Sequence, residues 1–137
     1  MRRLSAIAAS LFIANTGFSG ETEIKAAQRC IEAQLDAFLA GDNALAYSYA
    51  APNIQRIFPT VETFMGMVAN GYQPVARPKN FAFGKSEETR VGSVTQQVLL
   101  LGPDGKDYEA VYTLELQPDG FFRITGVSLR STNPPSI

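Results

Sequence analysis

The chain reads as an α+β protein in which N-terminal helices pack on a curved, cone-like four-stranded antiparallel sheet, and three observations lead there. Apolar residues recur at three- and four-residue steps as far as Val68, the spacing of helix faces. After Pro78 the period changes to two, the spacing of strands. The tripeptide Pro-Asp-Gly occurs at Pro103-Asp104-Gly105 and again at Pro118-Asp119-Gly120, each time between alternating runs. Pro and Asp suit a type I turn and Gly the left-handed position after it, the chemistry of a three-residue hairpin loop. Helices followed by hairpin-linked strands is an α+β order.

The chain opens Met1-Arg2-Arg3, continues through an apolar stretch from Leu4 to Ile13 and reaches the small-residue segment Gly17-Phe18-Ser19-Gly20. That is the layout of a secretory signal, with cleavage after Ser19. Residues 1–19 are therefore expected to be a signal peptide, residues 20–132 a single α+β domain, and residues 133–137 a flexible tail. The apolar run is far shorter than the ~20 residues a membrane span needs, so the mature chain is expected to be exported, in the periplasm, with no transmembrane segment.

From Glu23 to Leu39 the residues Ile24, Ala27, Ile31, Leu35 and Phe38 form one face of an amphipathic helix, with Cys30 on its flank and Gln34 at its edge. Arg29 and Asp36 point away. Gly41 stops this helix, and Asp42 caps a second, short one reaching to about Ala50, where Pro52 breaks it. Tyr47 and Tyr49 lie on that short helix and are expected not to face inward together. Asn53 to Phe58 adds a helical turn. Thr60 caps a third helix with Phe64, Met67 and Val68 at core spacing and Asn70-Gly71 as its end. Pro74 and Pro78 then predict an extended crossing segment.

Phe81 and Phe83 mark a first strand, and three more follow near residues 90–101, 107–117 and 121–130. The first loop pairs Leu100 with Tyr108, Val98 with Ala110, Gln96 with Tyr112 and Val94 with Leu114 on one face. The second pairs Leu116 with Phe122 and Leu114 with Ile124 on that face, and Glu115 with Arg123 on the other. Strict alternation would turn Val127 and Leu129 outward, so a bulge at Gly126 is expected to return them. The inner face should then carry Phe81, Phe83, Tyr108, Tyr112, Leu116 and Phe122 among others, covered by the first and third helices.

The chemistry is defined largely by exclusion. The sequence has no histidine and a single cysteine, Cys30, which removes Ser-His-Asp, Cys-His and zinc arrangements and any internal disulfide. No Gly-rich phosphate loop occurs. The formal net charge is −1, and loss of Arg2 and Arg3 with the signal makes it more negative, so nucleic acid is not an expected partner. No cofactor, metal site or catalytic residue is expected.

The polar residues directed inward are Gln34, Gln96 and Tyr112, with Tyr72 beyond the third helix placed to close a mouth. Two readings stand for them. They satisfy one another or a water as buried polar groups must, or they orient a small apolar ligand in a pocket. A rival reading is a lyase or isomerase using Glu62 or Asp42 with Tyr112. A third is a homodimer joined through Thr95, Gln97, Val111 and Thr113 on the outer face.

The block Phe58-Pro59-Thr60, Phe64-Met65, Met67-Val68, Gly71-Tyr72, Pro74-Val75 and Pro78 resembles an uncharacterised bacterial family, the domain of unknown function DUF4864. Gln34-Leu35-Asp36-Ala37-Phe38, Ala51-Pro52-Asn53-Ile54, Asp119-Gly120, Arg123-Ile124 and Gly126 fit it too, while Phe122 stands where the family pattern has Trp. The resemblance covers residues 26–130. It implies an exported bacterial protein and a cone-shaped fold similar to that of nuclear transport factor 2 and ketosteroid isomerase, a superfold that hosts enzymes, binders and dimerisation modules alike.

Overall fold

In the computed structural model, which describes residues 20–132, the chain runs α1 (Glu21–Ala40), α2 (Asn43–Ser48), α3 (Pro52–Ile57), α4 (Val61–Gly71), α5 (Gln73–Ala76), β1 (Asn80–Arg90), β2 (Ser93–Leu101), β3 (Asp107–Leu116) and β4 (Phe122–Ser131). The signal peptide of residues 1–19 and the tail of residues 133–137 lie outside the described residues. The strands form one antiparallel sheet in the order β1-β2-β3-β4. Helices precede a meander, the α+β arrangement that the change of period predicts.

The helix ends follow local chemistry. Gly41 takes the left-handed conformation at φ 74°, and the chain leaves α1 through bonds from Gly41 N to Phe38 O and Asp42 N to Ala37 O. Asp42 then caps α2 by accepting from Leu45 N at 3.2 Å. Thr60 and Thr63 cap α4 reciprocally, side chain to backbone in both directions. Pro52 begins α3 rather than merely ending what precedes it, because a first-turn residue has no helical use for its N–H. The same reason corrects the extended segment expected after Gly71. Pro74 sits in the first turn of α5, and Pro74, Val75 and Ala76 are buried.

The strand register is the one the twin loops dictate. Leu100 pairs with Tyr108, Val98 with Ala110, Gln96 with Tyr112 and Val94 with Leu114, and across the second loop Leu116 pairs with Phe122 and Glu115 with Arg123. Between Thr113 and Leu114 the β4 register slips by one, so Thr113 faces Gly126 and Tyr112 faces Val127. This is the expected bulge, and Val127 and Leu129 pack against the core. The first strand departs further from its sequence reading. β1 runs on to Arg90, the turn lies at Val91-Gly92, and residues 90–92 do not belong to β2. A second bulge between Phe83 and Ser86 brings Ser86 opposite Gln96 and Glu88 opposite Val94.

The core lies between α1 and the sheet. Ala27, Ile31 and Leu35 of α1 are fully buried against Val94, Val98, Leu114, Ala110 and Tyr112. Phe122 is buried as well, whereas Leu116 is 43% exposed and lies outside the core where it was expected. It sits at the end of β3, beside the turn to β4. The third sequence helix, α4, rests mainly on α2 and α5, and α5 takes the place over β2 that α4 was expected to fill. The rings of Phe38 and Phe64 stack at 6.3 Å, and Tyr47 tilts onto Phe64 at 5.2 Å, joining α1, α2 and α4 into a second layer.

Candidate functional site

A pocket of about 240 Å³ lies between that second layer and β4. Its position follows from how the chain leaves α2. Ala51 N donates to Ile124 O at 2.8 Å and Ile124 N to Tyr49 O at 2.9 Å, so the α2–α3 connection pairs with β4 as a short parallel bridge. α3 then doubles back, held by Gln55 Nε2 on the carbonyls of Tyr47 and Ala50 and by the Tyr47 hydroxyl on Phe58 O at 2.6 Å. The space left beside the bridge is walled by Ile54 and Phe58 on one side and by Phe64, Met67 and Val68 of α4 on another. Phe38 contributes from α1, and Ile124, Gly126 and Val127 from β4. None of the lining residues carries a charge.

Two of the four expected site residues line this pocket. Gln34 is 4% exposed, more deeply buried than its edge position on α1 suggests, and its Nε2 donates to Ala46 O at 3.1 Å. Tyr72 reaches across from the end of α4, and its hydroxyl donates to Val127 O at 3.2 Å. They are the polar members of an otherwise apolar wall.

The other two lie elsewhere. Gln96, fully buried, accepts from Gln28 Nε2 at 3.0 Å and from Ser86 Oγ at 2.5 Å. Its own Nε2 faces the carbonyls of Gly84 and Lys85, each at 3.3 Å, and that of Gln97 at 2.8 Å. It therefore supplies the polar partners that the β1 bulge takes from the ladder. Tyr112 is fully buried beneath α1, and its hydroxyl has no hydrogen-bond partner among the described residues. Burial, and secondarily the Cys30 thiol nearby, holds that phenol well above its ordinary value. Gln34, Gln96 and Tyr112 do not bond to one another. Tyr47 and Tyr49, expected not to face inward together, are both half-buried, Tyr47 against Phe64 and Tyr49 toward a separate groove.

The residues of the enzyme reading are not brought together. Asp42 is occupied as the α2 cap, Glu62 lies exposed in the first turn of α4, and neither lines the pocket. Burial pushes the Cys30 thiol up to about 11, with the Arg123 guanidinium pulling the other way, so it is protonated at neutral pH and a poor nucleophile. On the outer face, Gln97 donates to Glu109, and Arg130 holds the same carboxylate at 2.6 Å. Thr113 accepts from Thr125 at 2.9 Å. The Gln97 bond, reinforced by Arg130, keeps the Glu109 carboxyl below its usual range.

Sequence reasoning did not find Ala50, Ile54 and Phe58 as pocket residues, because their short segment has no periodicity to assign a face. A family model described as a domain of unknown function, DUF4864, matches residues 21–137. The chain belongs to this family. No curated protein and no solved structure matches the chain.

Proposed function

We propose that this chain is an exported, non-catalytic binding domain whose ligand is a small, neutral, apolar molecule held in the pocket between α4 and β4. The observation that carries the reading is the pocket wall, which is apolar throughout except for Gln34 and Tyr72. An uncharged wall disfavours an ion, because nothing in it would replace the water a charge loses. Two polar groups in an apolar surround is the usual way a site orients such a ligand. Gln34 offers its amide oxygen to a donor, and the Tyr72 hydroxyl offers a lone pair while it donates to β4. The volume falls below the ~300 Å³ at which drug-sized sites begin, which selects a ligand of one ring or a short chain. Export is supported by the basic, apolar and small-residue layout of residues 1–19.

The test uses a neutral, single-ring environment-sensitive dye, 4-dimethylaminobenzonitrile, titrated against the mature protein and against Val68→Phe, which places a ring in the pocket. The dye should brighten and saturate with the parent protein and lose that response in the variant. Equal brightening in both would overturn the reading. N-terminal sequencing of protein recovered from the periplasm of a bacterial host tests export, with Gly20 as the expected first residue.

A further inference from the structure

We propose that a second groove, on the other side of the α2–α3 connection from the pocket, binds a small organic monoanion with a carboxylate head and an apolar body. The groove has a volume of about 310 Å³ and lies between the N-terminal half of α1 and the β3–β4 turn. Ala26, Arg29 and Cys30 form its helical wall, Phe121 and Arg123 the opposite one, and Tyr49 its end. The main-chain bonds between Ile124 and the Tyr49–Ala51 segment separate it from the uncharged pocket, so its chemistry is independent of the site proposed above.

Three observations on these residues select the ligand. Arg29 is exposed on α1 and forms no ion pair among the described residues. Arg123 is held in place, with its guanidinium 5.5 Å from the centre of the Phe121 ring, donating to Phe122 O at 3.0 Å and to Asp119 at 3.4 Å. Its positive field reaches the Cys30 thiol across the groove. With Asp119 offsetting one of the two guanidiniums, the groove has about one positive charge in excess, which suits a monoanion better than a dianion. A planar guanidinium fork matches a carboxylate in two parallel bonds. Phe121 is 64% exposed. It provides an apolar face on which the body of such an anion lies, with Ala26 opposite.

The test is an NMR titration of the mature protein with naphthoate and, separately, with the uncharged naphthamide. Naphthoate should shift the amide signals of Arg29, Cys30, Phe121 and Arg123, and naphthamide should bind about tenfold more weakly for want of a charge-assisted bond. Arg29→Ala and Phe121→Ala, both at exposed positions, should each weaken naphthoate, Arg29→Ala without changing the thermal midpoint and Phe121→Ala with a small fall in it from the lost contact between its ring and Arg123. Added salt should weaken it as well. The proposal is overturned if the amide binds as tightly as the acid, if Arg29→Ala leaves affinity unchanged, if the shifts fall instead on Ile54, Phe64 and Val127, or if no saturable shift occurs at millimolar concentration.

Discussion

The Tyr72 hydroxyl donates to the main-chain carbonyl of Val127 at 3.2 Å, tying the end of α4 to the edge strand β4 at the rim of the apolar pocket. Because β4 is the last strand of the sheet, its outer edge is free to move unless something holds it. The α2–α3 bridge holds it at Ile124 and Tyr72 holds it three residues on. Tyr72→Phe keeps the ring and removes that bond. It should lower stability by ~1 kcal/mol, a single hydrogen bond's worth, and speed ligand release by several-fold. Urea unfolding and stopped-flow dye release measure the two effects.

Gln96 satisfies the β1 bulge rather than a ligand. In Gln96→Leu the carbonyls of Gly84 and Lys85, the Ser86 hydroxyl and the Gln28 amide lose a partner together. Leaving buried polar groups unpaired costs roughly 1–3 kcal/mol each where water cannot reach them, so the variant should lose about 2–3 kcal/mol in urea unfolding. Its dye affinity should match the parent, because Gln96 does not line the pocket.

Glu88 meets Glu23 where the β1–β2 turn approaches the start of α1, and Glu23 also accepts from Gly92 N at 3.2 Å. The hydrogen bond that protonated Glu88 donates to Glu23, with desolvation and the neighbouring negative charge, raises the Glu88 carboxyl above its ordinary 4.5. The folded protein thus holds this proton more tightly than the unfolded chain does. The resulting stabilisation is fully present below the ordinary glutamate range and is lost as pH rises through the raised value. Glu88→Gln keeps a neutral hydrogen-bonding group at every pH. Urea midpoints taken from pH 4 upward should fall through this window in the parent more than in the variant, and the variant should be the more stable at neutral pH.

The register of β2, β3 and β4 was legible because two chemically identical loops fix it and a one-residue slip would expose Val98, Tyr112 and Leu114 together. Even the bulge at Gly126 could be read, since only an extra residue returns Val127 and Leu129 to the core. The far half of β1 could not, because Gly84 to Arg90 carries no apolar side chain to reveal its faces. A Cβ at Gly84 would collide with the Gln97 side chain, a close approach invisible from the sequence. α5 was hidden by its own Pro74, which suits a helix's first turn as well as an extended segment. Of the site, Gln34 and Tyr72 could be reached from helix phase and position. The apolar wall formed by Ala50, Ile54 and Phe58 depends on the bridge to Ile124, a non-local contact that no local pattern encodes.

The most direct measurement is native mass spectrometry of the protein recovered from the periplasm of a bacterial host, compared with the same sample denatured and with Val68→Phe prepared alongside. Binding in the uncharged pocket requires extra non-covalent mass on the parent that disappears on denaturation and is absent from the variant. The same mass retained by Val68→Phe, or a bare parent chain that gains no adduct when the single-ring dye 4-dimethylaminobenzonitrile is added, would contradict it.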